Sequence, residues 1–183
     1  MGLFDKLQQN LSQQAAMANQ TKQTFTFSAL PETLAQLQAL PESALTSPYM
    51  TAALSVCALC VYAVDKQNGE EMLNFLRGPK GPLSNYDKSF LKDRFLDQQY
   101  VPFSYFAGAA PSNDYRPSEP YQITIYAGPY SFDNQGYAKL NINSGGADNP
   151  RQIVLRSKGD KWYLWEQFLI VGIRKPSSQD PWA

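Results

Sequence analysis

The chain has 183 residues, with 16 Lys and Arg against 16 Asp and Glu, 13% aromatic residues and no histidine. That length suits one domain with a real core. The balanced charge lacks the basic excess or stripe of a nucleic-acid footprint, and without histidine there are no His triads, general bases or metal ligands.

Residues 1–22 differ in character from the rest and read as a flexible amphipathic tail ahead of a single α+β domain over 23–183. Leu3, Phe4, Leu7 and Leu11 share one helical stripe, followed by a polar Gln/Ala/Asn-rich tether. Two readings compete for that stripe. One is weak peripheral contact with a membrane or partner; the other is a plain tail that docks on the body or frays. Asp5 and Lys6 cancel, so the cationic face of many membrane binders is missing. Met1 to Lys6 shows no basic segment and long apolar core of a secretory signal.

Thr24–Phe27 alternates and is expected at a sheet edge. Ala29-Leu30-Pro31-Glu32 is echoed by Ala39-Leu40-Pro41-Glu42, with Leu34, Leu37 and Leu40 giving the helix between them an apolar face. Ser47-Pro48 is a strong helix start, and Met50–Val64 is apolar nearly all round, so it is the expected buried central helix. It is too short to span a bilayer. Cys57 and Cys60 form a C-x-x-C inside it. No exposed helix N-terminus is there to stabilise a thiolate, and no further Cys or His is present to complete a zinc site. They are expected to be buried, reduced thiols, which fits a cytoplasmic setting. No metal and no cofactor is expected.

Asn68 can cap the next helix, with Met72, Leu73, Phe75 and Leu76 inward. Gly78-Pro79-Lys80-Gly81-Pro82 lacks the Gly-Lys-Ser/Thr ending of a phosphate loop, and its prolines remove backbone donors, so a rigid turn is expected. Ser84 and Asp87 have capping-box spacing ahead of Phe90, Leu91 and Phe95. Val101–Pro120 is loop-like yet holds Phe103, Tyr105, Phe106 and Tyr115. It is either functional or packed by its own aromatics.

Tyr121–Tyr126, Tyr137–Asn143, Gln152–Arg156 and Trp162–Trp165 read as a strand meander. In the last, Trp162 and Leu164 face one way, Tyr163 and Trp165 the other. Such a strand sits centrally, or something covers its second side. The tail ending in Trp182 is the expected cover.

A resemblance joins this reading. Ala29-Leu30-Pro31, Met72-Leu73-Asn74-Phe75-Leu76, Ser144-Gly145-Gly146-Ala147-Asp148, Gly159-Asp160-Lys161-Trp162-Tyr163-Leu164-Trp165-Glu166-Gln167-Phe168, Gly172-Ile173-Arg174-Lys175-Pro176 and Asp180-Pro181-Trp182-Ala183 resemble an uncharacterised bacterial family, a domain of unknown function. It carries no activity to transfer. The order of helices followed by a meander ending in Gly-Asp-Lys-Trp-x-Leu also resembles the cone-shaped nuclear-transport-factor-2 type of fold. Helices on a curved antiparallel sheet of four to five strands are therefore expected.

Function is expected to be non-catalytic: a binding or scaffolding module for an unknown protein, peptide or small apolar ligand. The expected contacts are Tyr105, Phe106, Tyr126, Tyr163 and Trp165. Two alternatives stand beside it. In one, Asp93, Asp97 or Glu166 works with Tyr163 or Tyr126 as an acid–base enzyme. In the other, residues 1–11 make a peripheral membrane or assembly factor.

Overall fold

The longest apolar run becomes the axis of the fold. In the computed structural model, which describes residues 2–18 and 21–183, Pro48–Val64 is a helix whose residues are buried almost throughout. Ser47 caps it, its hydroxyl accepting from the Tyr49 N–H at 3.2 Å, and Pro48 occupies the first turn. Among the described residues it is the third of five α-helices: α1 Leu3–Ala18, α2 Leu34–Gln38, α3 Pro48–Val64, α4 Lys66–Arg77 and α5 Asn85–Phe95. Against it lies one antiparallel sheet of β1 Lys22–Phe27, β2 Tyr121–Ala127, β3 Tyr137–Ile142, β4 Arg151–Lys158 and β5 Lys161–Gln167, in that spatial order. The sheet curls as a half-barrel, giving an α+β, cone-like architecture.

Strand alternation assigns the two faces. Phe25, Phe27, Ile123, Ile125, Ala138, Leu140, Ile142, Ile153, Leu155, Trp162 and Leu164 are buried in the core shared with α3. Thr24, Thr124, Tyr126, Asn141, Arg156 and Tyr163 take the opposite parity, and the register aligns them across neighbouring strands.

β5 is an edge strand, not a central one, and its exposed side is closed by side chains and turns. The Trp162 N–H donates to Leu45 O at 2.8 Å, and the Thr51 hydroxyl of α3 donates to Trp162 O at 2.8 Å. This also satisfies Thr51, one of the few buried polar residues of the core.

The α3–α4 hairpin is tight because Gly69 is small. A Cβ there would lie 2.2 Å from the Tyr62 Cα. Asp65, not Asn68, caps α4: its carboxylate accepts from the Asn68 N–H at 3.2 Å and from the Asn68 side-chain amide at 2.8 Å. An acceptor must precede the first turn to reach its free N–H groups, which places the cap three residues earlier. The Ser84–Asp87 capping box of α5 is present as expected.

Val101–Pro120 is packed by its own aromatics. Tyr105, Phe106 and Tyr115 are buried, and Tyr115 stacks on Tyr100 at 5.2 Å and 9°. Its hydroxyl donates to Arg174 O at 2.6 Å, tying down the start of the C-terminal tail. Pro176 is buried and Ser178 hydrogen-bonds Asp114, but Trp182 is 92% exposed. The tail therefore docks through its first half, and its tryptophan covers nothing.

At the other end, α1 is longer than the short helix expected, running to Ala18, with Leu3, Phe4, Leu7 and Leu11 exposed. The expected tether overlaps that helix, and part of it, residues 19 and 20, lies outside the described residues. No helix among the described residues is long and apolar enough to cross a membrane.

Candidate functional site

What covers the outer side of β5 is the turn after α4. Gly78, at φ 47° and ψ −120°, adopts a backbone that side chains disfavour, and this brings it onto the Tyr163 ring. A Cβ there would lie 2.3 Å from two ring carbons. The turn is held from behind. Arg77 Nε donates to Gly81 O at 2.9 Å, and its guanidinium lies 3.4 Å from Asp87. The Leu83 N–H donates to the Asn74 side chain at 2.8 Å. Burial pushes the Asp87 carboxyl up, but the Ser84 N–H and hydroxyl, then Arg77 and Lys80, bring it below the ordinary aspartate value.

Opposite the turn, the β4–β5 pairing slips. Val154 faces Glu166 while Leu155 faces Leu164, so Trp165 is the extra residue of a bulge. Bulges re-aim side chains. Here the indole meets the Tyr137 ring edge-on at 6.0 Å and 79°. The Arg156 guanidinium sits 4.6 Å from the Trp165 centroid and 5.3 Å from that of Tyr137. From the turn, Lys80 Nζ lies 4.7 Å from the same indole and donates to Trp165 O. Burial, then the neighbouring Arg77, holds the Lys80 ammonium below the ordinary lysine value.

Between turn and strands lies a cleft of about 390 Å3 whose cationic lining is Arg77, Lys80, Arg156 and Lys158. Pro79, Tyr163, Leu164 and Trp165 make its apolar part, and no carboxylate lines it. In a chain of zero formal charge this is a marked local excess. Arg77 is committed to the turn and Asp87. Among the described residues, Arg156 and Lys158 have no carboxylate within ion-pair distance.

Of the expected contact residues, the structure brings Tyr163 and Trp165 together here and puts the others elsewhere. Tyr126 borders a shallow depression of about 330 Å3 that Tyr105 and Phe106 also line. Both of those are buried: the Tyr105 hydroxyl donates to Leu169 O, and Phe106 meets Tyr121 edge-on at 6.2 Å. Asp97 lies beside Tyr100 and Asp114 in a third, polar concavity, away from Tyr126 and Tyr163. No group of three or more His, Cys, Asp or Glu among the described residues is placed to hold a metal. Cys57 and Cys60 are free and buried, and burial pushes the Cys57 thiol up to about 12.

The cations were the part missed. Arg156 pairs with Tyr163 across the two-residue Gly159-Asp160 turn, so its place on the outer face follows from the hairpin register. Lys80 arrives from a distant segment, and nothing local announces it.

The fold and cleft thus define an α+β domain with an aromatic–cationic concavity whose lining holds no acid–base pair. The chain belongs to the family described as Domain of unknown function (DUF6935), whose model matches residues 29–177. That span covers the helices from α2 onward, β2–β5 and the cleft; it leaves out α1, β1 and Asp180–Ala183. No curated protein and no solved structure matches the chain.

Proposed function

We propose that this domain is a non-catalytic binding module that holds a small ligand in the cleft between the Gly78–Lys80 turn and the outer face of β4–β5. The observation that carries this reading is Arg156, a guanidinium steadied by two aromatic rings and facing the cleft with no carboxylate partner among the described residues. Ring-steadied cations keep their N–H donors available, so a ligand meets a preorganised surface. The lining lacks a carboxylate to act as general base, which weighs against the acid–base enzyme reading. The curled sheet supports kinship with the nuclear-transport-factor-2 type of cone. The two buried free thiols support a cytoplasmic setting.

A thermal-shift survey with a chemically diverse set of small molecules tests the proposal. A ligand at about 100 times its Kd adds about 2.7 kcal/mol and raises the Tm of a chain this size by roughly 5–10 °C. Stabilising molecules should lose their effect on Arg156→Gln and Trp165→Leu. If none stabilises, or if all act equally on the variants, the cleft is not the ligand site.

A second reading rests on α1. Leu3 and Phe4 are 86% and 82% exposed, and Asp5 and Lys6 are the helix's charged residues. We propose that this stripe makes weak peripheral contact with a lipid surface. Flotation with zwitterionic vesicles should carry the full chain and leave behind a Leu3→Ser/Phe4→Ser variant; equal behaviour overturns it.

A further inference from the structure

Within the cleft, the chemistry of the lining specifies a class of ligand; this step rests on the binding-module reading. Setting aside Arg77, which Asp87 engages, three cations remain: Arg156, Lys158 and Lys80, the last also feeling the nearby carboxylates of Asp87 and Glu166. A single carboxylate would leave most of that charge unanswered. A dianionic, tetrahedral group offers several acceptor oxygens at once, and a guanidinium fork meets two of them side by side.

The aromatic rings bear on the choice as well. Lys80 and Arg156 both lie against the indole of Trp165, and Tyr137 meets its edge. Because protein groups already engage that ring, the cleft is better suited to grip an anion than to stack a flat aromatic ligand on Trp165. The cleft, at about 390 Å3, is much larger than one oxyanion and falls in the range of about 300–1,000 Å3 typical of small-molecule sites. Pro79 and Tyr163 supply apolar surface beyond the cations.

We infer that the cleft binds a small phosphomonoester, its phosphate held by Arg156, Lys80 and Lys158 and its organic part lying against Pro79 and Tyr163. The phosphate supplies charge complementarity and the organic group supplies apolar burial. Binding weakens as salt screens the exposed cations.

Isothermal titration calorimetry on the full chain, with phenyl phosphate, inorganic phosphate and benzoate at low and high salt, tests this. Phenyl phosphate should bind tightest, inorganic phosphate at least tenfold more weakly, and benzoate more weakly still. Raising the salt should weaken both phosphates. Arg156→Gln and, separately, Lys158→Gln should each weaken phenyl phosphate by tenfold or more. Both side chains are exposed, so an unchanged Tm in each variant keeps the comparison clean.

Benzoate binding as well as phenyl phosphate would overturn the phosphate assignment while leaving the binding cleft intact. Inorganic phosphate binding equally well would overturn the organic subsite. Phenyl phosphate binding undisturbed by both substitutions would place its site elsewhere. No heat with any probe would overturn the inference, and the survey above then decides whether the cleft binds other ligands.

Discussion

Gly78→Ala is the sharpest probe of how the cleft is built. Gly78 and Gly159 both sit at positive φ, 47° and 62°, so alanine meets backbone strain at either position. Their surroundings differ. At Gly159 a Cβ meets nothing within 4 Å, while at Gly78 it lands 2.3 Å from Tyr163 Cδ1 and Cε1. Strain alone costs about 1–2 kcal/mol at a left-handed position. The Gly78 backbone, outside even the left-handed helical well, costs about 1–3 kcal/mol. To this is added displacement of a ring wedged between turn and sheet; overpacking of that kind costs about 1–3 kcal/mol. Gly159→Ala should therefore lose about 1–2 kcal/mol in urea denaturation, and Gly78→Ala about 2–6 kcal/mol. Gly78→Ala should also alter Trp165 fluorescence, because Lys80 moves with the turn. Equal losses for the two variants, with unchanged fluorescence, would refute the claim that the turn is seated on Tyr163.

Other consequences follow from the same structure. Leu54 of α3 is fully buried, so Leu54→Ala should lower unfolding free energy by about 2–5 kcal/mol in urea. Because burial raises both thiols, with Cys57 at about 12, the native protein at pH 8 should resist a thiol reagent that labels it promptly once unfolded. Asp87 is held below its ordinary value when folded, so its contribution is present above the unfolded value of about 3.9 and is lost as pH falls through the lowered folded value. Asp87→Ala should thus cost about 1 kcal/mol at pH 7 and less near pH 3, read from urea midpoints at the two values. Removing residues 1–18 should leave the Tm nearly unchanged; a large drop would make α1 part of the core.

Much of the architecture was legible because periodicity and capping are local properties. The apolar run of α3, the Ser47-Pro48 start, the Ser84–Asp87 box and the alternation of β3 and β5 each carry their structure within a few residues. What was not legible depends on long-range closure. The two apolar faces of Trp162–Trp165 suggested a central strand or a covered one. The sequence alone did not show that a turn more than 80 residues earlier supplies the cover. Trp182 was the wrong choice because Pro176 and Ser178 dock the tail beside Asp114, and its last residues run past the body. Aromatic content pointed to Tyr163 and Trp165, which line a common cleft. It pointed equally to Tyr105 and Phe106, whose hydrogen bonding and ring contacts belong to the core. Charge completed the site, and charge on a strand face has meaning only once the opposing segment is known.

The central claim, that this cleft is where the domain binds its ligand, is tested most directly by amide and indole chemical shifts during titration with phenyl phosphate. The account predicts saturable shifts at the Trp165 indole, at Arg156 to Lys158 and along Gly78 to Gly81, with the Ala107–Gly108 and Tyr126 depression unmoved. Shifts confined to that depression, or to the apolar groove of Leu30, Val61 and Val64, with the Trp165 indole silent at saturation, would contradict it.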